Sequence, residues 1–327
     1  MSDVARLAGV SHQTVSRVIN DSEHVREETR ERVLRAMRQL DYRPNSVARA
    51  LVTGRSNTLG VVSFDTTLYG PASTLYGIEQ AAHEAGYFIT IASLKAFDRA
   101  SVLDAVERLR ILGVDGVLVI APQETAARAL LRIPAGVPLV ALEAGPADVV
   151  PVASIDQFAG AVAATSHLLE LGHRSVAHVA GPGDWLEAQQ RVAGWRATLE
   201  AAGVPVPDPL AGDWSPRSGY EIGQTLAADA GLTAVFVAND QMALGVLRAL
   251  HEAGRRIPAD VSVVGFDDVP EAPYFTPPLT TIRQDFGEMG HRGLKLLLET
   301  MEDPDGPPRH LEVAPELIVR STTGPPH

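Results

Sequence analysis

The chain has 327 residues, no cysteine and a formal net charge of −12, with 45% apolar and 21% charged residues. This excludes disulfides, thiolate metal sites and cysteine nucleophiles, and the length predicts two or three domains. No apolar run approaches the ~20 residues of a membrane span, and residues 1–20 are polar without the apolar core of a secretory leader; a cytoplasmic protein with no membrane partner is expected.

The first 44 residues read as short helices. The first is predicted over 2–8, with Val4, Leu7 and Ala8 on one face. Gly9-Val10 makes a tight turn, and Ser11 is a natural N-cap for a second helix over 12–20. A third helix is predicted over 27–40, with Val33, Leu34, Met37 and Leu40 at helical spacing. Pro44 stops the pattern. Residues 45–51 form a short amphipathic piece, and 53–57 read as a linker. Two helices joined by a glycine turn, the second opened by serine, make a helix-turn-helix. Its second helix presents His12, Gln13 and, one turn on, Arg17 to base edges, where Gln suits adenine and Arg suits guanine. Thr14, Ser16 and Asn20 are short hydrogen-bonders suited to phosphates; Ser11 and His24 flank them and join the candidate set. The alternative is a solvated polar face on a small helical domain. Charge favours DNA: residues 1–56 carry ten Arg and seven acids, a balance of +3, and the remainder carries −15. A basic head on an acidic body is the asymmetry expected when only the head meets phosphate.

From residue 58, apolar runs of strand length (59–64, 88–92, 116–120, 138–142, 176–180, 234–238, 261–266) alternate with helical stretches (73–85, 101–112, 158–171, 186–202, 218–228, 241–253). This predicts an α/β architecture of parallel sheets covered by helices. Some 270 residues exceed one six-stranded sheet, so two doubly wound subdomains are expected, with a ligand cleft near the carboxyl ends of the strands. The chain thus divides into a head over 1–44, a hinge and linker over 45–57 and a two-lobed core over 58–327. The segments 303–308 and 324–327 have the composition of disordered chain.

Glu143, Asn239 and Asp267 each fall at a strand end, where an α/β cleft collects ligand groups. Arg191 offers paired donors, Asn239 donates and accepts, the two carboxylates accept, and Trp214 offers an apolar wall. That chemistry suits a polyol. Singly, Asn239-Asp240 and Asp267-Asp268 read better as helix or turn caps; together with Arg191 and Trp214 they read as a site. Enzyme motifs are lacking: there is no G-x-S-x-G, phosphate loop or H-E-x-x-H, and His167, His173 and His178 lack metal spacing. His173 reads as a turn residue after a helix. No catalytic residue, metal or cofactor is implied.

Asp3-Val4-Ala5, Ala8-Gly9-Val10-Ser11 and Thr14-Val15-Ser16-Arg17-Val18-Ile19-Asn20 resemble the head of the lactose/galactose repressor family of bacterial transcription regulators. Val25-Arg26-Glu27-Glu28-Thr29-Arg30, Leu40-Asp41-Tyr42-Arg43-Pro44-Asn45 and Ala48-Arg49-Ala50-Leu51 continue the resemblance without a gap. In the core, Gly212-Asp213-Trp214-Ser215, Val237-Ala238-Asn239-Asp240-Gln241 and Pro277-Pro278-Leu279-Thr280-Thr281-Ile282 resemble the lactose-repressor branch, as do Gly181-Pro182 and Arg191 with Ala193-Gly194-Trp195. The resemblance implies a homodimeric repressor on pseudo-palindromic double-stranded operator DNA, released by a small sugar, with a galactoside or related glycoside expected. It implies a hinge helix contributing Asn45, Ala48 and a wedge, Leu51, in the minor groove. It places Leu68, Gly70 and Pro71 at one end of the sugar and Gln284 and Phe286 near the strands that cross between lobes; Trp185 is a second aromatic platform. Glu143 stands where the lactose branch has Asp, one methylene shorter. The family carries several residues ahead of Asp-Val-Ala, so an upstream start is expected, with Ser2 as cap of the first helix. No heptad follows Arg320, so a dimer rather than a tetramer is expected.

Overall fold

The computed structural model describes residues 1–19, 24–42, 54–64, 66–94, 98–130, 136–143 and 149–326. The proposed hinge and four candidate DNA contacts, Asn20, Asn45, Ala48 and Leu51, lie outside them. The chain forms two compact units, Met1–Asn57 and Thr58–His327.

The first unit contains α1 (Ser2–Ala8), α2 (His12–Ile19) and α3 (Glu27–Gln39). Gly9, at φ 63°, closes α1, and the Val10 N–H reaches back to the Ala5 carbonyl at 3.0 Å, a left-handed cap that favours glycine. Ser11 caps α2: its hydroxyl accepts from the Thr14 amide at 3.1 Å. The expected cap at Ser2 does not form; Ser2 is inside α1, preceded by Met1 with no side-chain cap. The three helices bury Val4, Ala5, Ala8, Val15, Val18, Val33 and Ala36. Leu7, Leu34 and Leu40, expected on the inner faces, are exposed. Helical spacing left a broad apolar stripe on α1 and α3, and the crossing of the helices selects the Val4/Ala8 and Val33/Ala36 edges of it.

The second unit holds two six-stranded sheets. In lobe 1 the order is β11-β5-β4-β3-β1-β2, all parallel, from β1 (Thr58–Phe64), β2 (Phe88–Leu94), β3 (Gly116–Ile120), β4 (Leu139–Leu142), β5 (Val152–Ile155) and β11 (His310–Val313). In lobe 2 the order is β12-β10-β9-β8-β6-β7, from β6 (Ala177–Ala180), β7 (Leu210–Ala211), β8 (Ala234–Val237), β9 (Ser262–Asp267), β10 (Thr280–Arg283) and β12 (Glu316–Ile318); only β12 runs antiparallel. The central strands β3, β4, β5, β8 and β9 are buried along their whole length, as strands covered on both faces must be.

Among the described residues, eight helices cover these faces: α4 (Tyr69–Glu84), α5 (Arg99–Ile111), α6 (Glu124–Leu130), α7 (Gln157–Glu170), α8 (Leu186–Ala201), α9 (Pro216–Ala227), α10 (Asp240–Glu252) and α11 (Phe286–Glu302). Each sheet has one core per face. The chain crosses between lobes three times, after β5, after β10 and between β11 and β12. The first two crossings end in helix starts capped by Asp156 and Asp285. The C-terminal tail, expected to be disordered by composition, is tied down as far as Gly324: its N–H and carbonyl both bond to the Ser262 hydroxyl, at 3.0 and 2.9 Å. His173 is more than a turn residue; it is buried and bonds Thr233, Ser262 and the Gly324 carbonyl.

Candidate DNA-reading face and effector cavity

On α2, Val15 and Val18 turn inward, so Ser11, His12, Gln13 and Arg17 are left exposed on the opposite side. Thr14 and Ser16 are half-buried beside them, and His24 is exposed in the turn before α3. The second helix of the pair therefore presents donors and acceptors along one face, with no carboxylate among them.

In the core, a cavity of about 240 Å³ opens at the strand ends between the lobes. Leu68, Gly70 and Pro71, at the start of α4, form one wall; Arg191, Trp214, Asn239, Asp267 and Gln284 form the other. Phe286 stands behind Gly70, edge-on to Tyr69 at 5.8 Å. Glu143 does not line the cavity: it is buried behind it, 5% exposed, with its Oε1 lacking a hydrogen-bond partner. Trp185, expected as a second aromatic platform, is on the wall, and the structure adds Glu187 to it. Trp185 precedes α8 and meets Trp214 edge-on at 5.6 Å and 70°. Glu187 lies one turn before Arg191 on α8, an i, i+4 spacing that was visible in the sequence. Trp214 can lie where it does only because residue 181 is glycine; a Cβ there would sit 2.1 Å from the indole.

Arg191, 2% exposed, is held by three kinds of contact. Its Nε donates to Gln157 Oε1 at 2.9 Å, and its Nη1 donates to the Ala238 carbonyl. The guanidinium lies over the Phe266 ring, 3.9 Å from the centroid. The network continues: Gln157 Nε2 donates to Gln284 Oε1 at 2.7 Å, and Gln284 Nε2 donates to Asp267 Oδ1 at 2.6 Å. Arg191 Nη2 stands 3.7 Å from Glu187 and 3.9 Å from Asp267, too far for hydrogen bonds. One face of the fork is thus still free to donate. Asn239 serves as the cap of α10, accepting from the Met242 amide at 3.0 Å, while its Nδ2 donates to the Trp214 carbonyl at 3.1 Å. Cap and cavity wall are the same side chain. Asp268 does not join the site; it pairs with Arg283 and Arg320 at 2.8 and 2.6 Å.

Burial dominates the electrostatics. It raises the Asp267 carboxyl to about 7, against the opposing pull of Arg191. Burial and then the charge of Glu187 push Glu143 well up, and burial raises Glu187 itself. Glu143, Trp214, Asp267 and Asp268 all have φ between 52° and 109°, an uncommon left-handed backbone for such residues. Left-handed backbone on side chains of this size collects at functional sites, where the surrounding fold holds it.

Residues 1–45 match the model described as bacterial regulatory proteins, lacI family, and residues 165–323 match a periplasmic binding protein-like domain. The chain is 36% identical to the lactose operon repressor of Escherichia coli, over 99% of this chain and 91% of that protein. It belongs to the lacI family. It is also 34% identical to the HTH-type transcriptional repressor PurR of Mannheimia succiniciproducens, over 98% of each chain. The crystal structure of a Lac repressor dimer bound to operator and the anti-inducer ONPF superimposes with a TM-score of 0.88, at 33% identity over 98% of each chain. As a member of the lacI family the protein is a DNA-binding transcriptional repressor with a ligand-binding core, and its relatives are repressors, not enzymes. No described helix is long and apolar enough to cross a membrane.

Proposed function

We propose that this lacI-family repressor acts in the cytoplasm as a homodimer on a pseudo-palindromic operator and is released by a small sugar bound in the inter-lobe cavity. The head over 1–44 reads the DNA, 45–57 is a hinge that folds on operator, and 58–327 binds effector and partner subunit. Ser11, His12, Gln13, Thr14, Ser16, Arg17, Asn20 and His24 contact the DNA from the head; Asn45, Ala48 and Leu51 contact it from the hinge. Leu68, Gly70, Pro71, Arg191, Trp214, Asn239, Asp267 and Gln284 contact the sugar, with Glu143 supporting them from behind.

The observation that carries this reading is the Arg191 fork: Nε and Nη1 are bonded to the protein, Nη2 makes no hydrogen bond, and the residue lines a cavity also walled by Trp214. A hydroxylated ring offers acceptors to that fork and a C–H face to an indole. The cavity volume lies just below the roughly 300 Å³ lower end for ligand pockets, which suits a monosaccharide or small glycoside. A purine is the second reading, supported by the likeness to repressors named PurR. Against it, the two indoles meet at 70° and offer no parallel pair of walls to sandwich a planar base.

The test is fluorescence anisotropy of labelled operator at fixed salt, titrated with repressor in the presence of mono- and disaccharides or purine bases. Release by a sugar is expected. A response to purine bases alone would replace the sugar reading with the second.

A further inference from the structure

The cavity is unbalanced in charge. Arg191 is the one cation lining it among the described residues, while Glu187 and Asp267 lie on its wall and Glu143 is buried just behind. Both wall carboxylates approach the same nitrogen, Arg191 Nη2, without bonding it, at 3.7 and 3.9 Å. Of the five buried side-chain polar atoms that lack a partner among the described residues, two belong to this region: Glu143 Oε1, an acceptor behind the wall, and Trp214 Nε1, a donor on it. Buried polar atoms without partners are rare and each needs an explanation, such as a bound ligand, a water or an ion. On the wall itself the needs are of opposite kinds: a donor for the two carboxylates that Arg191 Nη2 does not hydrogen-bond, and an oxygen for the indole of Trp214.

Resting on the sugar reading above, we propose that the effector is a sugar bearing a protonated primary amine, seated against Glu187 and Asp267. Its ring or hydroxyl oxygens face Trp214 Nε1 and Arg191 Nη2. An ammonium donates three hydrogen bonds and accepts none, which matches carboxylates with spare lone pairs. Its positive charge offsets the second wall carboxylate, since the single cation Arg191 stands near both, in a cavity where burial makes an uncompensated carboxylate costly. A neutral sugar leaves the imbalance in place, and the protein then has to neutralise its carboxyls with protons. Glu187 is the specificity residue in this arrangement: Arg191 and Asp267 serve any polyol, whereas a second wall carboxylate selects for charge.

The probes are galactose and glucose with their 2-amino-2-deoxy and 6-amino-6-deoxy derivatives, titrated by calorimetry into the full-length protein at pH 7. At least one amino derivative is expected to bind about tenfold or more tightly than its parent hexose. In Glu187→Gln, which keeps size and hydrogen bonding but loses charge, that preference is expected to fall to threefold or less. Melting temperature and operator affinity are recorded alongside as the folding control, and Glu187→Ser is the second variant if Gln does not fold. Parent hexoses binding as well as their amino derivatives would overturn the charge selection while leaving the sugar reading standing. Unchanged preference in the variant would remove Glu187 from the role. Binding of no hexose of either kind, with purine bases binding, would end both readings together.

Discussion

At the scale of the residue, Arg191 is the side chain on which the effector site turns. Lysine keeps the charge but has no planar fork, so it cannot hold Gln157 and the Ala238 carbonyl while donating to a ligand. Arg191→Lys is expected to weaken effector binding by at least tenfold, read as the effector concentration that half-releases labelled operator. Retained sensitivity would place the ligand elsewhere. Asp267 supports a second expectation. Its carboxyl is raised from 3.8 to about 7 in the folded protein, so between those values the folded state holds a proton that the unfolded state has lost. Its contribution to stability is complete below about 3.8 and is lost as pH rises through about 7. Glu143 and Glu187, raised by burial, act in the same direction. Burial lowers His167, His173 and His178, which act the opposite way, so the expectation is set on the difference: from pH 5 to pH 8 the melting temperature of Asp267→Asn is expected to rise relative to that of the parent. An identical slope in the variant would mean that this carboxyl ionises in the folded state as it does in the unfolded chain.

At the scale of the element, α4 and α11 form the support behind the cavity. They cross with backbones nearly touching: a Cβ on Gly77 would sit 2.3 Å from the Phe286 carbonyl oxygen, and one on Gly290 would sit 2.3 Å from Gly77. Both contacts are with backbone, which cannot rotate away. Gly77→Ala is expected to cost about 1–3 kcal/mol, the range for overpacking a close contact, and to shift Phe286, which backs Tyr69 at the cavity wall. Denaturant unfolding measures the first effect and effector affinity the second. A variant as stable as the parent would show that the helices can part without loss. In the head, α2 shows how an element divides its labour: Val15 and Val18 anchor it, which turns Gln13 and Arg17 outward without any further device.

At the scale of the whole molecule, operator and effector are linked sites. A sugar that prefers one conformation must change operator affinity by the same factor that operator changes sugar affinity. The hinge proposal is tested at this level. If Leu51 wedges into a central base step, Leu51→Ala should weaken operator binding far more than it lowers stability, because unstacking a step costs a few kcal/mol that the wedge offsets. Stiffening the central step, by replacing CpG with GpC, should weaken the parent similarly and the variant little, since pyrimidine–purine steps kink most easily. Operator affinities for the four combinations, at one salt concentration, decide it. Additive losses would mean that Leu51 and the central step never meet.

The kind of protein and much of its plan are legible in local residue order. Ser11 as cap, the valines of α2 and the alternation of strand and helix from residue 58 follow from local periodicity, which each segment carries within itself. Glu143, Asn239 and Asp267 were legible for the same reason, since each sits where an apolar run stops. Which side chains converge depends on how the lobes pack. Gln157 and Gln284 bond although 127 residues separate them, because the first two crossings between lobes bring the ends of β5 and β10 together. Glu143 was displaced from the wall to a buried place behind it, and Glu187 took a wall position that its helix alone did not reveal. The strand β5 and the helix α11 were not anticipated either: the first is only four residues long, and the second carries glycines that serve a packing contact with α4. A local pattern states which face of a segment is apolar, but the partner of that face is set by how two sheets and their crossings pack, and that information is distributed over the whole chain.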